Sequence, residues 1–256
     1  VGLIYVYQKS IIYFCQSRDP KQTVEQKIKM CFSASASFTT SALLIPTGIY
    51  CLRKSVTTER LYLPLSAWPL FFGIQQAVEG FLWLGMVNNQ PNLIQIASLS
   101  FLFFSHFFWL VWTPFSLLSL ETNETNRWRR IILIIFTLVG LVYGALLYLP
   151  LLSDESLLNI KIVNGSMYYA VEFIFDDLIS LNSRFVIYAM IILVPLFISS
   201  NRRVNFLGWE ILLAAMITYL WFSYAFSSVW CFFAAIISIY VVYAINQVTF
   251  SGEPQN

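Results

Sequence analysis

Phe71-Phe72-Gly73-Ile74-Gln75-Gln76-Ala77-Val78-Glu79-Gly80-Phe81-Leu82-Trp83 places two amides and a carboxylate inside a segment apolar enough to span a bilayer. Hydrocarbon offers no hydrogen-bond partners, so each polar group must be satisfied from within the protein, and an ionisable residue in a spanning helix marks a functional site by default. Gln75 and Gln76 precede Glu79 by four and three residues and Trp83 follows by four, so all four project from one broad helical face. Two readings stand side by side. In one, a neutral Glu79 and the glutamines clasp a neighbouring helix, each bond contributing about 0.6 kcal/mol. In the other, the face lines a site where Glu79 relays a proton or meets a ligand.

The surrounding composition fits a membrane. Of 256 residues, 58% are apolar, 18% aromatic and only 11% charged, against roughly 25% charged in soluble domains. A soluble fold is excluded. The net charge of +2 gives no case for nucleic acid, and the basic residues stand in short clusters between apolar runs, as topology signals do. Cys15, Cys31, Cys51 and Cys231 lack metal-binding spacing, and the single histidine, His106, excludes any site that needs several imidazoles. No metal or cofactor is expected.

From Phe32 onward, apolar runs at 33–52, 61–87, 93–119, 131–150, 184–199, 205–224 and 227–247 reach, or nearly reach, the length that crosses about 30 Å at about 1.5 Å per residue. The expected fold is all-α: residues 30–256 form a single integral membrane bundle of about seven transmembrane helices, with residues 151–183 as an external loop. The connections after helices 1, 3 and 5 hold Arg53, Lys54, Arg60, Arg127, Arg129, Arg130, Arg202 and Arg203, whereas the opposite side holds only Lys161 and Arg184. The positive-inside rule puts the larger set in the cytoplasm, with the N-terminus of the bundle outside and its C-terminus inside. Residues 1–29 carry five more basic residues, Lys9, Arg18, Lys21, Lys27 and Lys29, on the side where that rule disfavours them. They are expected to be a non-native or disordered extension, with Met30 as the natural start.

Three further stretches carry candidate chemistry. In the external loop, Met167 to Leu178 would place Tyr168, Glu172 and Asp176 on one face of an amphipathic helix, either lying on the outer leaflet or closing the bundle as an acidic lid. In helix 3, His106 has Trp109 and Thr113 on its face, and Pro114 frees the carbonyl of Leu110, a place for a kink. Neutral His106 either bonds a neighbouring hydroxyl or forms an acid/base pair with Glu79, which lies about 8 Å outward of the midplane by helix rise. In helix 1, Ser33, Ser35, Ser37, Thr39, Thr40 and Ser41 let another helix approach closely. Removal of Met30 would expose Cys31 as an N-terminal nucleophile, and a Cys31–Cys231 disulfide is the competing use of that thiol.

Met30-Cys31-Phe32-Ser33-Ala34-Ser35-Ala36-Ser37-Phe38, the block Gly73-x-Gln75-Gln76-x-x-Glu79-Gly80-x-x-Trp83 and Trp230-Cys231-Phe232-Phe233 resemble an uncharacterised prokaryotic family of multi-pass membrane proteins that begin Met-Cys-Phe-Ser. The resemblance covers residues 30 to about 247. It implies a natural start at Met30 and a family pattern around Glu79, and supplies no activity. A retinal protein is excluded, because residues 227–247 contain no lysine. Ceramidase-like membrane hydrolases share only the helix count, since their metal site uses several histidines.

These residues point to an outward-facing polar pocket within the membrane that binds, senses or transports a small or lipidic ligand, with Gln75, Gln76, Glu79, Trp83, His106 and Trp109 as its ligand-binding set. The alternative is a lipid-directed hydrolase or acyltransferase whose catalytic candidates are Glu79, His106 and Cys31. The expected setting is the inner membrane of a prokaryotic cell, with the bilayer itself as first partner. Oligomeric state is not legible.

Overall fold

Ser33 opens the first helix of the described residues, its hydroxyl accepting from the Ala36 amide at 3.4 Å to cap α1, Ala34–Thr58. The structure, a computed structural model, describes residues 33–121, 127–163, 165–173 and 181–251. Residues 1–29, Cys31, Asp176 and Asp177 lie outside them, and so do the expectations placed on those residues. After a short 3₁₀ turn and a single helical turn the chain reverses into α2, Trp68–Val87. A tight turn with Asn89 at φ 50° leads to Pro91 at the first position of α3, Pro91–Leu102. Six residues, Phe103–Phe108, continue α3 as a π-helix into α4, Trp109–Leu118. Then follow α5, Arg127–Ser153; the strands β1, Leu158–Val163, and β2, Ser166–Val171; α6, Leu181–Ile198; α7, Arg202–Phe222; α8, Phe226–Ile237; and α9, Tyr240–Ser251.

The chain is thus an integral membrane helix bundle. Five stretches among the described residues are long and apolar enough to cross: Arg60–Val87, Pro91–Leu118, Arg127–Ser153, Arg202–Phe222 and Phe226–Gln247. Two of the expected crossings fall short on different grounds. The α6 helix is too short, whereas α1 has ample length but too little apolarity, carrying its hydroxyls and Arg53 and Lys54.

What α1 lacks in grease it recovers in fit. Its buried stripe runs Ser37, Thr40, Ser41, Leu44, Gly48, Cys51 and Ser55, at steps of three and four apart from the adjacent Thr40 and Ser41. Antiparallel to it, α2 presents Gly73 and Gly80, seven apart. A Cβ on Gly73 would sit 3.0 Å from the Ile45 backbone nitrogen, one on Gly80 2.8 Å from the Phe38 ring, and one on Gly48 would overlap the Leu70 backbone. Small residues therefore set the α1–α2 distance. The glycines use one side of α2, leaving the adjacent side for Gln75, Gln76 and Glu79.

The external loop departs from expectation. Met167–Val171 lies in a strand, not a helix: β1 and β2 pair antiparallel from Leu158↔Val171 to Val163↔Ser166. The turn holds Gly165 at φ 73°. Asn164-Gly165 between two runs rich in β-branched and aromatic residues is a strong hairpin signal, and cross-strand pairing outweighs the helical spacing of Tyr168 and Glu172. Glu172 is exposed, its amide bonded to the Leu157 carbonyl at 2.9 Å. The hairpin is no floating appendage. Met167 is fully buried against Leu82, Trp83 and Ala97, and Tyr169 stacks on Phe101 at 4.9 Å.

Candidate functional site

The polar face of α2 is assembled as a chain of side chains. Trp109 Nε1 donates to Gln75 Oε1 at 2.7 Å, Gln76 Nε2 donates to Glu79 Oε2 at 3.4 Å, and the Ser228 hydroxyl donates to Glu79 Oε1. Gln75 and Gln76 are 0% exposed and Glu79 2%. The cluster thus links α2 to α4 and to the first turn of α8, whose apolar run is expected to start at residue 227. The helix begins at Phe226, after a 3₁₀ turn over Ser223–Ala225, and buries Ser228. Ser228 is the partner that sequence reasoning missed, since one serine among many gives no signal until two helices meet.

The cluster is only partly satisfied. Gln75 Nε2 and Gln76 Oε1 are buried without a hydrogen-bond partner. Cys231, a buried free thiol, lies beside the Gln75 amide and Glu79, without meeting hydrogen-bond geometry. Above them sits Tyr169 of the hairpin, whose hydroxyl is also buried without a partner. Burial, with the Glu79 carboxylate and the Cys231 thiol nearby, pushes the Tyr169 phenol well above its ordinary range and keeps it a neutral donor.

Tyr169 and Cys231 also line a cavity of about 1200 Å³ between the hairpin and the bundle. Its rim carries the exposed Ser156, Lys161 and Glu172, and nine Phe, Tyr and Trp side chains stand among its lining residues. Tyr188 and Trp230, packed edge to face at 5.4 Å, form its floor. Beyond them a void of about 30 Å³, room for about one water, is bounded by Trp68, Phe72, Trp109 and Thr113.

His106 lies on the cavity wall, apart from Glu79. Its Nδ1 is 2.8 Å from Ser105 Oγ, and its ring stacks on Phe173 at 5.9 Å. Arg184 covers the Phe173 ring at 4.9 Å, and the Tyr188 hydroxyl donates to the Ser105 carbonyl at 2.5 Å. No hydrogen bond or ion pair among the described residues joins His106 to Glu79, so the expected acid/base pair is not assembled. The π-helix supplies the reason. Its wider turn carries Trp109 off the face of His106, leaving one against Gln75 and the other toward the cavity. Trp83 is set apart as well, packed beneath the hairpin with Met167. Ser105 beside His106 gives a hydroxyl next to an imidazole, but no carboxylate among the described residues orients that ring as hydrolytic triads require.

A double-mutant cycle reads this partition. Glu79→Gln and Ser228→Ala should couple by about 1–2 kcal/mol in thermal stability, since they share one hydrogen bond. Glu79→Gln and His106→Gln should add within about 0.5 kcal/mol. The reverse pattern would place His106 back in the cluster.

A second buried carboxylate escaped the sequence reading. Glu121, 1% exposed just beyond α4, accepts from Ser199 Oγ at 3.0 Å, from the Ser200 amide at 2.7 Å and from Ser200 Oγ at 2.9 and 3.0 Å. The same turn continues into Asn201, which caps α7 through the Arg203 amide and donates to the Tyr62 hydroxyl at 2.7 Å. With its acceptor capacity used, Glu121 fastens the bundle at the end opposite the hairpin. The model of DUF6629, a family of unknown function, matches residues 30–253, starting where the resemblance to a Met-Cys-Phe-Ser family begins. No curated protein and no solved structure matches the chain.

Proposed function

The chain belongs to this family of unknown function, and from its own geometry we propose that it is a seven-crossing membrane protein whose hairpin-covered cavity binds a small or lipidic ligand for sensing or transport. The observation that carries this reading is the cavity itself. A space of about 1200 Å³ with a polar rim, aromatic side chains in its walls and the unpartnered Tyr169 hydroxyl and Trp230 indole N–H among its lining residues is what ligand sites combine. The basic asymmetry supports an orientation with the hairpin outside the cell and the termini of the bundle on opposite sides, in the inner membrane of a prokaryotic cell as the resemblance implies. Reporter fusions at Lys54 and Arg129 should then behave as cytoplasmic and one at Ser156 as external; a cytoplasmic signal at Ser156 overturns the orientation.

Enzymatic acyl transfer needs His106 oriented by Glu79, and their partners are separate, so binding is the reading we carry forward. Native mass spectrometry of the protein purified from its membrane should find a small molecule or lipid held one per chain. Leu147→Trp, which projects a larger ring into the cavity from α5, should lower that occupancy. Equal occupancy in the parent and in Leu147→Trp removes the cavity from consideration.

A further inference from the structure

Glu79 is a buried carboxyl group with no cationic side chain beside it among the described residues. Its carboxylate is bonded to the Ser228 hydroxyl and the Gln76 amide, and no Lys, Arg or His among the described residues pairs with it. A lone carboxylate so deeply buried holds either a proton or a cation. Its surroundings favour a cation of one kind. Gln76 Oε1, on a side chain that is 0% exposed, is an acceptor without a donor. Tyr169 lies close enough to Glu79 to feel its charge, and its ring lines the adjoining cavity together with those of Tyr188 and Trp230. Carboxylate and amide oxygens together with aromatic faces suit an organic ammonium group, which donates N–H bonds to the oxygens and lays its charge against the rings. A metal ion finds less, because no group of three or more His, Cys, Asp and Glu gathers among the described residues.

The orphan donors refine the class. Gln75 Nε2 and the Tyr169 hydroxyl, both buried without an acceptor, would receive an oxygen carried close to the ammonium. The basic residues of the cavity are placed elsewhere, Lys161 at the rim and Arg184 on Phe173, and neither acts on Glu79. We propose that Glu79, Gln76 and Tyr169 form a site for a small ammonium group bearing a neighbouring oxygen, as in an amino alcohol. The site rests on the cavity reading for its route of entry. A free amine and a lipid headgroup share this chemistry.

The test titrates the full chain, purified in detergent, with ethanolamine hydrochloride at constant ionic strength, following tryptophan fluorescence and melting temperature against sodium chloride. A saturable response to ethanolamine alone is expected, weakened at least about tenfold in Glu79→Gln. Tyr169→Phe, which keeps the ring and removes the orphan hydroxyl, should weaken it about threefold and serves if Glu79→Gln does not accumulate. Nanodiscs of phosphatidylethanolamine compared with phosphatidylglycerol identify the headgroup as the source if only the former raises the melting temperature in a Glu79-dependent way. A response equal to that of sodium chloride, or one unchanged in both variants, overturns the proposal. If ammonium binding survives Leu147→Trp, the cavity reading falls and the Glu79 site stands. If the purified protein holds a ligand that Leu147→Trp removes, yet shows no ammonium preference, the reverse holds.

Discussion

Gly140→Ala should destabilise the bundle by about 3 kcal/mol, lowering the melting temperature by on the order of 6–12 °C, and Gly140→Leu should leave little folded protein. The cause is backbone against backbone. A Cβ on Gly140 would overlap the carbonyl oxygen of Leu110 and lie 2.7 Å from its carbon; one on Gly144, a turn later in α5, would lie 3.0 Å from Phe107 Cα and 3.1 Å from the His106 carbonyl. These carbonyls belong to the least regular part of the α3–α4 span. Pro114 gives no N–H to Leu110, and the π-helical turn disturbs the ladder around His106. Helix α5 closes over them with its two glycines, so even one methyl group must push the helices apart. Gly208→Ala is the control, because its new Cβ would meet only the side chains of Leu196 and Phe197, at 3.1 and 3.3 Å. Melting curves followed by size exclusion in detergent separate the cases. Equal losses at Gly140 and Gly208 would show that the α4–α5 contact is not close enough to matter.

Glu121→Ala is expected to cost about 3 kcal/mol and Glu121→Gln about 1 kcal/mol. Alanine leaves the Ser200 amide and two hydroxyls without their acceptor in a buried turn, whereas glutamine keeps one oxygen to receive the amide. The loss should be local before it is global. Proteolysis in the connection between α6 and α7 should rise in Glu121→Ala ahead of any change in Trp230 fluorescence, because the clasp holds the Ser199–Asn201 turn and not the cavity. Stability within about 0.5 kcal/mol of the parent in both variants would mean that water replaces the clasp without cost.

The difference between Glu79 and Glu121 shows what the sequence discloses. Glu79 stands in an apolar run, where a charge is conspicuous, and its burial and its helical neighbours could be read from spacing. Glu121 stands in Leu120-Glu121-Thr122-Asn123, a stretch that looks like any solvated loop, and only the return of Ser199 and Ser200 from far along the chain buries it. The α2 face was legible for the same reason of periodicity, yet the grouping of His106 with Trp109 was not, since a π-turn changes the period without changing the composition. The hairpin was within reach. Asn164-Gly165 announces it, although the helical spacing of Tyr168 with Glu172 points the other way. Tyr169, at the meeting of cavity and cluster, follows from that hairpin.

The hydroxyl stripe of α1 bears on how the protein is made. A helix with so many serines and threonines and a basic end gains little by leaving the insertion machinery for lipid alone, and among the long helices described it is the one that fails on apolarity. Its glycine-spaced fit to α2 gives α1 a protein face in place of lipid, so insertion of α1 is favoured once α2 stands beside it. Gly48, Gly73 and Gly80 set how closely that shelter fits, and the segment that carries Glu79 also shields α1 from lipid.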